Sequence, residues 1–253
     1  MGAYFIKKEV SLEKVRKEYG VIVDEVTTKA LALSERVHSI YLYGSVATGK
    51  AQSPTSDLDM LVVLHEAADE VLAQKYDELA AEMSAVHVDV FREVGLGVTN
   101  LNEVLHGSDP LGWRFFMTVL CVKLQGEDLY EKEKRFRPTT ALAKELHSDM
   151  HHVLAGAVEK IRGASESVVK LKVHSAMKKI IRAGFGLVME RENYWTVDIE
   201  EMVELFCKHY PEQAEKMNEV LGLLRNPAPE AARAIGLVTD FGTWVEAELL
   251  GSS

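Results

Sequence analysis

The order of apolar and polar residues divides the chain into a part in which helices and strands alternate and a part that is helical throughout. Apolar residues at helical spacing predict a first helix over residues 11–36, with Ser11 as its N-cap and a break at Gly20. Short apolar runs then predict three strands, with an amphipathic helix between the second and the third. The strands cover residues 38–43, 58–64 and 86–91, and that helix covers residues 66–84. A short helix is expected at residues 100–105, and an apolar helix or a pair of strands at residues 113–125.

The second part of the chain begins after a charged run, residues 131–138, which ends in Pro138. We place the domain boundary in this run, with one domain over residues 1–135 and the other over residues 136–253. The predicted elements of the second domain are all helices, punctuated by prolines that cannot continue a helix. These helices cover residues 139–162, 166–191, 197–209, 211–224 and 228–250, and the prolines are Pro211, Pro227 and Pro229.

The composition is that of a globular protein with an acidic balance. Among 253 residues, 29 are Lys or Arg and 39 are Asp or Glu, so that the formal net charge is -10. This balance disfavours a nucleic-acid partner, because binding to phosphates needs a basic surface. It suits a cationic partner, or an anion that is held through metal ions. Two cysteines cannot build a disulfide framework, and no targeting or membrane-spanning segment is recognisable, so we expect a cytoplasmic protein with no membrane partner.

The residues that carry chemistry lie at the ends of the first two predicted strands. Gly44-Ser45 ends the first strand, and glycine allows the backbone to approach a ligand closely. A helical turn that begins at Ser45 would offer free amides and a hydroxyl group to an anion. Asp57 and Asp59 lie two residues apart on the next strand and therefore on one face. Two neighbouring carboxylates repel each other unless a cation lies between them, and Mg²⁺ prefers such oxygen ligands.

Asp89 interrupts the apolar pattern of the predicted strand 86–91 and is the expected third carboxylate of a two-metal site. Each of these features also has an ordinary structural explanation when taken singly. The stretch Ser56-Asp57-x-Asp59 could be a turn capped by its own side chains, and Asp89 could be an exposed strand residue. The three features together favour a metal-dependent site for phosphate transfer.

Gly44-Ser45 followed by Asp57-x-Asp59 resembles the signature of the nucleotidyltransferase superfamily, over residues 38–91. Members of this superfamily transfer a nucleoside monophosphate from a nucleoside triphosphate to an acceptor. The two-domain layout is similar to that of the antibiotic nucleotidyltransferases of the kanamycin and streptomycin/spectinomycin types, with Tyr194-Trp195-Thr196 before an acidic helix as part of a weaker C-terminal resemblance. The implied fold is an α/β (α+β) nucleotidyltransferase domain with a mixed sheet, followed by an all-helical bundle that binds the substrate.

The resemblance also implies the reaction partners and the residues that bind them. ATP is the implied co-substrate, Mg²⁺ the implied cofactor, and a homodimer the implied assembly. The implied nucleotide-binding residues are Gly44, Ser45 and Ser56, and the implied metal ligands and catalytic acids are Asp57, Asp59 and Asp89. In kanamycin-type relatives a glutamate on the first helix of the helical domain is the general base, for which Glu159 is the first candidate and Glu166 the second.

The favoured function is the transfer of AMP from ATP to a hydroxyl group of a small cationic acceptor, in the first place an aminoglycoside, with release of pyrophosphate. An acidic acceptor pocket between the domains is then expected, and its candidate residues are Asp198, Glu200, Glu201 and Glu204. A second hypothesis is nucleotidyl transfer to a lincosamide, a protein or an RNA end, of which the acidity disfavours the last. A third is a non-catalytic binding module of the antitoxin type, against which the intact pair Asp57 and Asp59 argues.

Overall fold

A computed structural model describes residues 4–130, 135–162, 164–226 and 231–251 of the protein. These residues form two compact units. One unit lies within residues 7–134, and the other combines the described residues among the first six with those from residue 135 onward. Residues 131–134 of the charged run, as well as Pro227 and Pro229, lie outside the described ranges. None of the helices in these ranges is long and apolar enough to cross a membrane.

Within the described residues, the first unit is built on a mixed four-stranded sheet. Its strands are β1 (Val37–Tyr43), β2 (Leu58–Leu64), β3 (Val94–Asn100) and β4 (Cys121–Gly126), in the spatial order β3-β2-β1-β4. β1 is antiparallel to both β2 and β4, and β3 runs parallel to β2. The mixed sheet that the resemblance implies is therefore present, and the first two strands match the sequence prediction to within one residue.

Helices cover one face of this sheet and bury its larger core. The chain enters through a short 3-10 helix (Leu12–Lys14) and continues in α1 (Lys17–Ala32), while α3 (Glu70–Val86) precedes β3. Inward-facing residues of β1 and β2, such as Leu42 and Met60, pack in one cluster with Val26 of α1 and Tyr76 of α3. Ser11 caps the 3-10 helix, as predicted. The predicted break at Gly20 is wrong, because the chain bends at Val15, which is extended, and Gly20 lies inside α1.

The opposite face of the sheet carries a smaller core. Tyr41, Leu61 and Val63 pack there with residues that follow β3, including Met117. These residues belong to the helices α4 (Leu101–His106) and α5 (Pro110–Phe115) and to a π-helical turn (Phe116–Leu120) that leads into β4. Residues 113–125 are therefore part helix and part strand. The side chain of Asp59 in β2 points to this same face. Side chains alternate along a strand, and those of Leu58 and Met60 are buried on the opposite face.

The predicted strand over residues 86–91 is wrong. α3 continues to Val86, and the next residues form a turn in which the amides of Val90 and Phe91 donate to the carbonyl of His87. Val86 and Val88, which suggested the alternation, are 60% and 59% exposed. Phe91 is buried because it packs on Tyr19 of α1, at a distance of 5.1 Å between ring centroids. The third strand begins only at Val94.

The second unit is helical throughout its described residues. Its helices are α6 (Thr140–Leu146), α7 (Met150–Ile161), α8 (Glu166–Gly186), α9 (Met189–Glu192), α10 (Ile199–His209), α11 (Ala214–Arg225), α12 (Ala231–Leu237) and α13 (Thr243–Leu250). α8 is the longest, and α7, α10, α11 and α13 pack against it. The predicted helix over residues 139–162 is in fact two helices, because the chain turns at the buried His147. An all-helical second part is what the sequence predicts.

Candidate active site

The first strand ends in a tight turn that starts a short helix. α2 (Gly44–Thr48) follows β1 directly, as the Gly44-Ser45 motif predicts, and leaves its first amides without helical carbonyl partners. Gly44 has φ +73°, in the left-handed region that glycine adopts at little cost. Gly49, with φ +75°, ends the helix. The turn thus brings the N-terminus of α2 to the end of β1, next to the first residues of β2.

Gly44 lies directly against the carboxylate of Asp59. Tyr43 pairs with Asp59 across β1 and β2, and a Cβ atom on residue 44 would lie 2.2 Å from Asp59 Oδ2. On the other side, Asp59 pairs with Gly95 of β3, where an added Cβ would lie 3.7 Å from Oδ1. Glycines therefore lie next to Asp59 on both sides, Gly44 directly after β1 and Gly95 within β3, and the one at position 44 is required by the room that the carboxylate takes.

Asp57 precedes β2 and forms an ion pair with Arg92. The guanidinium group donates from Nε to Oδ1 at 2.9 Å and from Nη2 to Oδ2. The Asp57 side chain is 26% exposed and that of Arg92 is 60% exposed. Both oxygens of the Asp57 carboxylate thus face the guanidinium group of Arg92. The predicted role of Asp57 as a metal ligand stays a prediction.

Ser45 and Ser56, the other implied nucleotide-binding residues, differ in their surroundings. Ser45 is the second residue of α2 and is partly exposed. The Ser56 hydroxyl accepts a hydrogen bond from the amide of Gln52 at 2.9 Å, and the amide of Ser56 donates to the Gln52 carbonyl at 2.8 Å. Ser56 therefore closes the loop that delivers the chain to Asp57, and its side chain has a structural role there.

Asp89 does not lie on a strand beside the other two acids. It is an exposed residue of the turn after α3, and its carbonyl accepts a hydrogen bond from the Ser53 hydroxyl at 3.1 Å. No cluster of three or more His, Cys, Asp or Glu side chains suited to a metal ion occurs in the described ranges. The strand argument for Asp89 as third carboxylate is therefore wrong.

Glu93 is an exposed acid near Asp57 that the sequence does not single out as a site residue. It directly precedes β3, and its carbonyl accepts from the amide of Leu58 at 2.9 Å, while the Arg92 amide donates to the Ser56 carbonyl at 3.0 Å. Because Val94 pairs with Leu58 in parallel register, Glu93 stands beside Asp57 just before both strands begin. It also lines a cavity of about 420 Å³ that is bounded by α3, by β3 and by Tyr43, and neither Asp57 nor Asp59 is among the residues that line this cavity. No local signal in the sequence points to Glu93, because its place beside Asp57 follows from the pairing of β3 with β2.

Aromatic residues form the apolar side of the same region. The ring of Tyr43 meets that of Phe116 edge-on at 5.0 Å between centroids, and Trp113 meets Phe116 at 6.2 Å. Burial, with a smaller effect of the Asp59 charge, raises the pKa of Tyr43 to about 12. Tyr43 therefore stays protonated at neutral pH and adds no charge beside the carboxylates.

The remaining predicted site residues belong to the helical unit. Glu159 is exposed on α7, on the side away from Leu154 and Ile161, and Glu166 starts α8 and pairs with Lys170 at 2.7 Å. Two of the four acids near the start of α10 have structural partners. Asp198 caps the helix by accepting from the Glu201 amide at 3.3 Å, and Glu200 pairs with Arg225 at 2.8 Å. The roles of these residues stay predictions.

Comparison with known proteins identifies the domain that carries Gly44 and Asp59. Residues 23–102 match the family model described as nucleotidyltransferase domain. The matched stretch contains α2, Asp57, Asp59 and Glu93. It supports the expectation of an enzyme.

A solved structure shares the two-domain fold. It is the spectinomycin adenyltransferase AAD(9) from Enterococcus faecialis, determined with ATP and spectinomycin. The similarity covers 92% of this chain and 98% of that chain, with a TM-score of 0.54 and 12% sequence identity. At this identity the likeness establishes the fold. None of the curated proteins matches the sequence significantly.

Proposed function

We propose that this protein is a magnesium-dependent nucleotidyltransferase that transfers AMP from ATP to a hydroxyl group of a small cationic acceptor. The observation that carries the proposal is the position of the Asp59 carboxylate, held against Gly44 at the N-terminus of α2 within a nucleotidyltransferase domain. An aminoglycoside is the first candidate acceptor, since the chain has a net charge of -10 and the solved relative was determined with ATP and spectinomycin.

The residues at the α2 turn fit a magnesium ion and a triphosphate. Asp57 and Asp59 supply hard carboxylate oxygens two residues apart. Glycine at position 44 leaves the room that the Asp59 carboxylate occupies against the start of α2. We expect Asp57 and Asp59 to hold the metal. When bound, Mg²⁺ would neutralise charge on the triphosphate and ease the departure of pyrophosphate.

The protein's own groups would position the reactants. The first amides of α2 and the Ser45 hydroxyl would donate hydrogen bonds to phosphate oxygens, and Tyr43, Phe116 and Trp113 would shield one side from water. A glutamate carboxylate would take the proton from the acceptor hydroxyl as that oxygen attacks the α-phosphorus, and pyrophosphate would leave. Glu159 is the base that the resemblance implies. Glu166 is the second candidate that the resemblance implies. Glu93, which precedes β3 beside Asp57, is a further candidate for an acid of the site in place of Asp89.

Pyrophosphate release tests the proposal. The protein is incubated with ATP and Mg²⁺ and with each member of a panel of aminoglycosides and lincosamides. We expect release that depends on the acceptor, is lost in Asp59→Asn and is retained in Asp24→Asn, which removes an exposed carboxylate of α1 in the same unit. For a cationic acceptor, the affinity should fall with added salt, because opposite charges attract less strongly when screened.

Three other outcomes would change the conclusion. Release that is unaffected by Asp59→Asn would contradict the proposed site. Release only with a lincosamide would replace the aminoglycoside as the proposed acceptor. No release with any acceptor, although ATP binds, would favour a non-catalytic binding module. The homodimer that the resemblance implies is a separate proposal, and analytical ultracentrifugation of the purified protein tests it.

A further inference from the structure

The ion pair between Arg92 and Asp57 uses the carboxylate that the proposed metal site needs. The two N–H groups of the guanidinium fork donate to the two oxygens of Asp57, one of them at 2.9 Å. Such a bidentate arrangement is stronger and more directional than contact with a single ammonium group. A divalent cation at Asp57 would stand next to this guanidinium group, and the two positive charges would repel each other.

The backbone holds Arg92 at this position. Its amide donates to the carbonyl of Ser56 at 3.0 Å, and the amide of Leu58 donates to the carbonyl of Glu93 at 2.9 Å. These bonds extend the contact between β2 and β3 by one step, so that the α-carbon of Arg92 stays beside Asp57. The side chain is 60% exposed and is therefore free to turn into solvent, whereas that of Asp57 is only 26% exposed. Hydrogen bonds therefore fix the backbone of Arg92, whereas its exposed guanidinium group is able to move away from Asp57.

We propose that Arg92 is a built-in counter-ion that occupies Asp57 until the metal arrives. In the nucleotide-free protein the guanidinium group neutralises Asp57 and competes with a divalent cation for its oxygens. Free Mg²⁺ therefore binds weakly on its own, and the metal site becomes available when the side chain of Arg92 swings away. This inference rests on the proposed function in so far as Asp57 and Asp59 are taken as the metal ligands.

Binding of Mn²⁺ alone to the nucleotide-free protein tests the competition, with electron paramagnetic resonance of the free ion as readout at fixed ionic strength. We expect Arg92→Gln to bind Mn²⁺ about fivefold more tightly than the wild type, the upper range for loss of a half-exposed ion pair. Arg92→Lys should fall between the two, since it keeps the charge and loses the fork. Asp57→Asn should bind Mn²⁺ more weakly than the wild type.

Arg36→Gln is the matched control. Arg36 also pairs with an aspartate of the same unit, Asp69, at 3.3 Å, but it precedes the opposite end of β1 from Gly44. The control makes the same change in net charge, and its Mn²⁺ affinity should equal that of the wild type. An equal gain in Arg36→Gln and Arg92→Gln would show a general charge effect and overturn the proposal.

The remaining outcomes separate this inference from the proposed function. If Asp57→Asn weakens Mn²⁺ binding and Arg92→Gln leaves it unchanged, the counter-ion role is wrong and the metal site stands. If the wild type releases pyrophosphate but neither it nor Arg92→Gln binds free Mn²⁺, the counter-ion role is also wrong. If no variant binds Mn²⁺ and no acceptor supports pyrophosphate release, the proposed function fails, and this inference fails with it.

Discussion

The contact between Gly44 and Asp59 leads to a sharp prediction for Gly44→Ala. The added methyl group would lie 2.2 Å from Asp59 Oδ2, with Cγ at 3.1 Å and Cβ at 3.3 Å. Ordinary contact begins at 3.4 Å, so the carboxylate oxygen must move by roughly 1 Å. The carboxylate is the movable end of its side chain, and we therefore expect it to rotate out of position while the strand stays paired.

Two effects of the substitution can be estimated separately. Alanine at φ +73° costs about 1–2 kcal/mol in the free energy of unfolding, because its Cβ crowds the carbonyl in the left-handed region. A displacement of about 1 Å at a catalytic group lowers the rate by about 10²-fold, which corresponds to ~3 kcal/mol of transition-state stabilisation. Gly44→Ala should thus fold with a modest loss of stability and lose about two orders of magnitude in kcat/KM.

Gly49→Ala separates these two effects. Gly49 ends the same short helix with φ +75°, but the atoms nearest to an added Cβ are the carbonyl oxygen of Lys14 at 3.0 Å and its Cβ at 3.2 Å. The backbone strain is the same and no carboxylate is displaced, so this variant should lose stability and keep most of its activity. Urea denaturation and acceptor-dependent pyrophosphate release measure the two quantities. Equal activity in the two variants would refute the role of Gly44 in positioning Asp59.

Three further predictions concern the third acid, the buried histidine and the core. Glu93→Gln should lower pyrophosphate release at least tenfold, whereas Asp89→Asn should leave it within twofold. A larger loss in Asp89→Asn than in Glu93→Gln would favour Asp89 as the third acid. Burial lowers the pKa of His147 to about 3, below its ordinary value of 6.5, so the unfolded chain binds the extra proton between these values. Stability should therefore fall as the pH drops below 6.5, by up to ~1.4 kcal/mol per pH unit. His147→Gln should reduce this slope in urea denaturation series, and an unchanged slope would assign it to other groups. Tyr76→Phe removes the buried hydrogen bond from its hydroxyl to the carbonyl of Ala30, 3.2 Å long, and should lower the free energy of unfolding by about 1 kcal/mol. A loss near zero in thermal or urea denaturation would mean that this bond adds no net stability.

The parts of the fold that the sequence predicts well are those in which local pattern and burial agree. β2 is an apolar run interrupted only by Asp59, with both of its faces covered, and its predicted bounds match the structure. The prediction of a strand over residues 86–91 is wrong because the alternation of apolar and polar residues there does not reflect burial. Val86 and Val88 are exposed, and the true edge strand contains Gly95 and Gly97, which give it little strand propensity.

The candidate site likewise combines features that the sequence predicts with features that depend on contacts between distant segments. The spacing of Asp57 and Asp59 and the position of Gly44-Ser45 follow from the chain itself, because strand periodicity and the conformational freedom of glycine are local properties. The third acid depends on which segment pairs with β2, a contact between residues more than thirty positions apart. A local pattern cannot determine such a pairing.

The sequence alone determined the two kinds of unit, the positions of Asp57 and Asp59 before and within β2, and the turn that follows β1. Each of these depends on residues close together in the chain. Only the tertiary structure decided that Gly44 lies against Asp59, that Glu93 stands beside Asp57 and that Arg92 neutralises it. These contacts result from the register of β2 against β1 and β3. That register is set by how the whole sheet packs its apolar face against α1 and α3, and it brings together side chains that no single segment specifies.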